Sequence, residues 1–255
     1  FISGFLVGLG TRLGGGCTSG HGLCGLPRFS LRSITAVFLF LTTGIITASL
    51  HLKENIPQSS PLDGLASISF DADTSTKVVF VVGALLFAYS LIPSGSSSLV
   101  YPIVNFIVGA IFSAGLLVSG MTKREKVNGF LDISEASKGN WDMSLFAVLM
   151  TGVGINLISF NYALYKGSSI LPQSIAQSLT GAQIQNPKGA VDLRLVIGAV
   201  LFGIGWGIGS MCPGPVIALL PIFQVKVHGI WLFSCFAGMY IAGFINTYAA
   251  KAKTS

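Results

Sequence analysis

Two cysteines occupy the same place in two copies of one glycine pattern. The first copy is Gly8-x-Gly10-x-x-x-Gly14-x-x-Cys17 and the second is Gly203-x-Gly205-x-x-x-Gly209-x-x-Cys212, related by one constant offset with no gap. Each copy closes an apolar stretch and opens into a turn-prone segment. After the first thiol this is Thr18-Ser19-Gly20-His21-Gly22, after the second Pro213-Gly214-Pro215. A glycine-rich helix that breaks at a thiol, found twice in a very apolar chain, suggests a membrane protein with a two-fold related site. A fainter third copy begins at Gly109 and ends at Thr122, which takes the place of Cys17.

The chemistry on offer is that of a polar nest bearing thiols. Six glycines fall in the twelve residues from Gly14 to Gly25, exposing backbone N–H groups, and Thr18 and Ser19 add hydroxyls. Cys17 and Cys24 are seven apart, so a regular helix through them would carry both thiols on one face, with His21 about one turn from each. Such a nest suits a small anion or a soft sulfur atom. The competing reading is a tight packing turn whose Cys and His are satisfied locally. A metal reading also exists, because Cys17-x-x-x-His21-x-x-Cys24 offers two soft thiolates and an imidazole. That spacing is not a common zinc spacing, so neither a metal nor a cofactor is assigned.

Arg12 lies in an apolar run five residues before Cys17. A charge there either supplies a positive field to an anion or snorkels to a membrane face. At the second break, proline opens a short helix because its missing N–H would be unpaired there anyway. Cys212 and Gly214 thereby sit at a helix start, where a thiolate is stabilised. Cys235, inside an apolar run, reads as core packing.

The elements that must hold these residues are apolar helices. Candidate spans are Leu31–His51, Lys77–Ile92, Tyr101–Ser119, Met143–Tyr165, Leu193–Met211 and Gly229–Ala249, with Phe1–Leu13 as one more or its remaining half. Between them lie segments too short to span and too apolar for ordinary loops: Cys17–Phe29, Thr122–Ile133 and Pro215–Val225. These read as half-membrane helices that start at the breaks. A helix start buried in a membrane carries unpaired N–H groups and a partial positive charge, and an anion is its natural partner. Lys53–Thr76 and Lys166–Asp192 are polar loops. Asp142 and Asp192 flank helices as caps or interface residues.

Composition agrees. The chain is 51% hydrophobic and 9% charged, with 32 glycines and a net charge of +6, and its mean hydropathy is +0.75. A soluble domain carries about 25% charged residues, so lipid must be the main solvent here. No stripe of Lys/Arg interleaved with aromatics suggests nucleic acid. Arg28 and Arg32 place the start of Leu31–His51 on the cytoplasmic side. There is no Walker loop, no intramembrane chain of carboxylates and no Ser-His-Asp arrangement, so neither direct ATP drive nor an enzyme is expected. No signal peptide is legible, and the chain, opening on Phe1 inside an apolar run, reads as part of a longer protein.

These residues resemble the YeeE/YedE sulphur transport family. The likeness rests on Gly8-x-Gly10-Thr11-Arg12-Leu13-Gly14-x-Gly16-Cys17-Thr18-Ser19-Gly20-His21-Gly22-x-Cys24-Gly25 with Ser30-Leu31-Arg32-Ser33. It rests also on Ser119-Gly120-Met121-Thr122 with Val127-x-Gly129-Phe130-Leu131-Asp132, and on Leu201-Phe202-Gly203-Ile204-Gly205-Trp206-Gly207 with Cys212-Pro213-Gly214-Pro215. The later two blocks also resemble a companion domain that can occur as a separate bacterial protein.

The resemblance implies a multi-pass importer of thiosulfate or a similar sulfur anion, shaped as an hourglass whose essential cysteines correspond to Cys17 and Cys212. A further family cysteine lies nearer the N-terminus than this chain reaches. We therefore expect an all-α polytopic membrane protein with inverted-repeat character, about six to seven spanning helices and short re-entrant helices. Its halves are 1–95 and 96–255. The expected pathway residues are Cys17, Cys212, Cys24, Thr18, Ser19, His21, Arg12, Thr122 and Gly214. The expected setting is the plasma membrane, with a cytoplasmic sulfur-carrier protein as a partner. A membrane thiol enzyme or sulfur carrier, and a soft-metal-binding protein, are the competing classes.

Overall fold

A computed structural model describes residues 1–51, 100–134, 141–165, 190–219 and 225–251, all helices and turns with no strand among the described residues. Helix α1 is Ile2–Gly14. A wide-turned π-type helix, Thr18–Gly25, and one 3-10 turn, Leu26–Arg28, lead into α2, Leu31–His51. Then follow α3, Val100–Val118, α4, Arg124–Leu131, and α5, Ser144–Tyr165. The last group is α6, Leu193–Gly209, α7, Pro213–Leu219, and α8, Val225–Lys251. Six of the expected apolar stretches are these helices. Lys77–Ile92, the Lys53–Thr76 loop and residues 166–189 lie outside the described residues.

By length and composition, three helices among the described residues are able to cross a membrane: Leu31–Leu50, Ser144–Asn161 and His228–Tyr248. Helix α6, with 17 residues, is about 25 Å long at 1.5 Å per residue, against a hydrocarbon core of about 30 Å, so the full span expected over Leu193–Met211 gives way to a shorter helix. The cause is local. Gly15, with φ 73°, ends α1, and Ser210, with φ 51°, ends α6. A left-handed residue cannot continue the right-handed helix. Gly120, with φ 72°, follows α3 in the same manner. These three residues stand two places before Cys17, Cys212 and Thr122, so the three copies share one backbone device.

The glycines of the pattern are where helices touch. A Cβ at Gly10 would meet the Gly198 carbonyl and the Phe202 amide, each at 2.5 Å, while one at Gly205 would meet the Ser3 carbonyl and the Val7 amide, each at 2.8 Å. Gly205 is Gly10 displaced by 195 residues, and Gly198 and Phe202 are Ser3 and Val7 displaced by the same offset. The contact is therefore reciprocal, as in a two-fold interface, and it makes α1 and α6 antiparallel. The outer pairs obey the same offset. Gly8 abuts the Cys235 carbonyl of α8, and Gly203 abuts the Phe40 carbonyl of α2. Small residues let backbones approach this closely where apolar burial gives helices no net drive to associate in lipid.

Polar bonds lie within the same seams. Ser3 Oγ donates to the Gly205 carbonyl at 3.0 Å, and Trp231 Nε1 donates to Ser3 Oγ at 3.1 Å. Outward faces are apolar in equivalent places, with Phe38 and Phe233 each 69% exposed, as befits helices solvated by lipid. Helix α4 is amphipathic. It buries Val127, Phe130 and Leu131 and leaves Arg124 and Glu125 exposed.

Candidate functional site

Both cysteines immediately precede a short helix. Cys17 has φ −116° and ψ −169°, and its carbonyl accepts the His21 N–H at 2.9 Å. The Cys212 carbonyl accepts the Val216 N–H at 3.2 Å. Each is a bond from four residues on. The N–H groups of Thr18, Ser19 and Gly20 thus precede the first bond of the first short helix. At the second break, Gly214 alone supplies such a group, because Pro213 and Pro215 have none. The two breaks therefore differ in donor count.

The breaks adjoin. Thr18 Oγ1 lies 3.9 Å from Cys212 Sγ across 194 residues of chain, and Cys17 Sγ lies 3.1 Å from Ser19 Oγ. Cys212 is buried and Cys17 half-buried, both as free thiols. Cys235 is buried in the same core, with its carbonyl against Gly8.

His21 acts as a strut. Its Nε2 donates to the Gly14 carbonyl at 3.3 Å, which leaves Nδ1, 3.1 Å from Ser33 Oγ, to accept from that hydroxyl in the neutral ring. Both ring nitrogens are engaged and His21 is 6% exposed, so it ties Gly14 to Ser33 across the first break. Among the described residues, no group of three or more His, Cys, Asp and Glu is placed to hold a metal ion. Gly16 lies beneath the His21 ring and Gly25 against Ser33, whereas Gly20 and Gly22 face no atom within 4 Å of an added Cβ.

Other expected pathway residues are placed differently. Cys17 lies outside the short helix, and that helix has the wider π-type turn, so the shared face expected for Cys17 and Cys24 does not form. The Cys24 carbonyl accepts from Arg28 Nε at 2.8 Å. Arg12 is exposed in the last turn of α1, where its backbone carbonyl accepts from Asn246 Nδ2 at 3.5 Å. Thr122 keeps its place at the third break but makes no hydrogen bond to either cysteine among the described residues. Gly214 packs on Leu116 and Phe112 of α3, at ordinary contact distance from an added Cβ.

Residues 100–165 hold both breaks. Asn156 Nδ2 donates to the Leu23 carbonyl at 2.8 Å, and Asn161 Nδ2 donates to the Pro27 carbonyl at 3.2 Å, satisfying the end of the first short helix from α5. The Arg28 guanidinium lies 5.0 Å from the Phe160 ring centroid. At the second break, Arg124 Nε donates to the Gly209 carbonyl at 3.2 Å, and Asn128, one turn on, bonds to Ser210. Sequence reasoning passed over Asn128, Asn156 and Asn161. The available signal was an asparagine within an apolar helix, since polar side chains there serve as interhelical glue.

In the first turn of α2, Arg32 is bonded to the Gly14 carbonyl, the Ala190 carbonyl and Asp192, at 3.0, 3.0 and 3.1 Å. Asp192 also caps α6 through the Leu195 N–H, as its position before the helix suggested. Partial desolvation would raise the Asp192 carboxyl, but the Leu195 amide and Arg32 outweigh it and hold the group below the usual range. Ser144, with Lys126 beside it, likewise holds Asp142 low. Arg12, Arg28, Arg32 and Arg194 gather where α1 ends and α2 and α6 begin, with Arg194 linked to the Arg12 carbonyl through Asn246.

Residues 1–47 match the family described as sulphur transport, and residues 100–254 match one described as a family of unknown function (DUF6691). Over 48 residues the chain is 58% identical to a "Probable transporter" of Xylella fastidiosa (strain Temecula1 / ATCC 700964), covering 19% of this chain and 36% of that protein. Over 118 residues it is 31% identical to a further "Probable transporter" of Xylella fastidiosa (strain 9a5c), covering 46% of this chain and 73% of that protein. The chain thus spans about a third of the length of the first relative. No solved structure matches.

Proposed function

This chain belongs to the YeeE/YedE sulphur transport family, and we propose that it is a membrane transporter carrying thiosulfate, or a similar sulfur-containing anion, through the gap between the Cys17 and Cys212 breaks. The observation that supports this most is the approach of Thr18 Oγ1 to Cys212 Sγ at 3.9 Å from opposite ends of the sequence. In this reading, residues 1–51 and 193–251 form an inverted repeat, the short helices after the cysteines are re-entrant, and the gap is the waist of an hourglass. The halves 1–95 and 96–255 each bring one break to the waist. The cluster of four arginines faces the cytoplasm in the plasma membrane, where a sulfur-carrier protein receives the product.

Backbone N–H groups of Thr18, Ser19, Gly20 and Gly214 replace part of the hydration shell of the anion's oxygens. The hydroxyls of Thr18 and Ser19 do the same. The thiols of Cys17 and Cys212 donate weak S–H bonds to the soft terminal sulfur. Binding spread over weak sites suits passage, because a deep well would trap the ion. His21, Asn156 and Asn161 hold the first break in place.

The test is uptake of radiolabelled thiosulfate by cells expressing the full-length protein. Cys17→Ser and Cys212→Ser keep a small hydrogen-bond donor and remove the soft sulfur. Each is expected to abolish most uptake while leaving expression intact. Near-normal uptake by both removes the sulfur-to-sulfur step. A stable sulfur adduct on either cysteine by intact mass shows a covalent carrier instead.

A further inference from the structure

The last carbonyl of each broken helix is held by an arginine. Arg32 Nη2 donates to the Gly14 carbonyl at 3.0 Å, and Arg124 Nε donates to the Gly209 carbonyl at 3.2 Å. Gly14 and Gly209 are partners at the 195-residue offset, but the two arginines are not. The offset partner of Arg32 is Val227. The second guanidinium comes from α4, just after the third copy. One bond has thus been built twice from unrelated positions. A helix end needs only a donor, and backbone or lysine suffices. A guanidinium at both breaks calls for another reason.

The two arginines differ in what remains for a ligand. Arg32 is engaged with two carbonyls and neutralised by Asp192. Arg124 is exposed and, among the described residues, meets one acceptor and no carboxylate. Lys123 precedes it, Lys126 is engaged with Asp142 at 3.8 Å, and Glu125, the next residue, projects from a different side of α4. The free edge of its guanidinium lies beside the helix end three residues before Cys212. A planar fork of N–H donors matches two oxygens of a tetrahedral oxyanion. An ion held by its oxygens keeps its terminal sulfur free for the thiols.

We propose that Arg124 collects the sulfur oxyanion at the mouth beside Cys212, and that Arg32, closed by Asp192, is its masked counterpart beside Cys17. This rests on the reading of the cysteine gap as an anion passage. The experiment measures initial rates of labelled thiosulfate uptake by the full-length protein as wild type, Arg124→Gln, Arg124→Lys and Cys212→Ser, at equal surface expression. Gln still donates to the Gly209 carbonyl, so a pure capping role leaves KM unchanged. Loss of the collecting charge is expected to raise KM about tenfold, with the maximal rate little changed, since one charge-assisted bond is lost. Lys, a point charge without the fork, is expected to fall between. The wild-type KM should also rise with salt more steeply than that of Arg124→Gln. An unchanged KM in Arg124→Gln, with uptake lost in Cys212→Ser, overturns the Arg124 assignment alone. A raised KM in Arg124→Gln, with normal uptake in Cys212→Ser, upholds Arg124 and removes the cysteine passage. Absence of thiosulfate uptake by the wild type overturns both.

Discussion

Gly10→Ala and Gly205→Ala should harm the protein to a similar degree, although they lie at opposite ends of the sequence. An added methyl at Gly10 falls 2.5 Å from the Gly198 carbonyl and the Phe202 amide, and one at Gly205 falls 2.8 Å from the Ser3 carbonyl and the Val7 amide. These neighbours are backbone atoms of a helix and have no rotamer to change. Relief requires α1 and α6 to part by roughly half an ångström to an ångström, which forfeits a quarter to a half of each dispersion well along the seam. Overpacking of a tight core costs about 1–3 kcal/mol, and backbone obstruction puts these variants at the upper part, about 2–3 kcal/mol each. The double variant should cost about 1 kcal/mol less than the sum, because the first methyl already opens the seam for the second. Gly109→Ala and Gly115→Ala are the controls. Nothing lies within 4 Å of their added Cβ, and alanine's helix propensity favours them by about 1 kcal/mol. Unfolding of purified protein in detergent, followed by circular dichroism, reads all five. Losses below about 0.5 kcal/mol at both seam glycines, or a large loss at one only, would refute the reciprocal α1–α6 contact.

Asn156→Ala leaves the Leu23 carbonyl without its partner from α5, at a cost of about 1 kcal/mol. It should lower uptake by loosening the first break, with Asn156→Gln restoring part of it, as measured by the same transport assay. Asp192 has a folded-state pKa below its unfolded value, so the stability it contributes is present above the unfolded value, near 4, and is lost only as pH falls through the lower folded value. Uptake by Asp192→Asn should therefore follow the wild-type pH profile between pH 7 and 5, because the Arg32 pair stays intact throughout that window and Asn still caps α6. A profile that changes within that window would place another role on Asp192.

The helices and their breaks were legible in the sequence because both have local causes. Apolar runs in a chain with so few charges form helices solvated by lipid. A glycine two places before Cys17 or Thr122 halts a helix by taking a left-handed conformation, as Gly15 and Gly120 do, and a proline after Cys212 opens the next helix, as Pro213 does. The repeat was legible too, since its spacing is covalent. Ser210 carried no such warning. It takes the left-handed turn that Gly15 takes at the first break, held there by its neighbours. What the glycines are for was decided in three dimensions. Gly8, Gly10, Gly203 and Gly205 face backbone of other helices, and only the crossing of those helices reveals it. The same holds for Arg12, which a linear reading sets near Cys17 but the end of α1 carries outward. It holds for Cys24, separated from Cys17 by a change of turn width. Asn156 and Arg124 reach the breaks from 133 and 85 residues away. A sequence fixes the period and the stops of its own helices, because those energies arise within a few residues. Which carbonyl a distant amide or guanidinium meets depends on how whole helices pack, and that is settled only when the chain has folded.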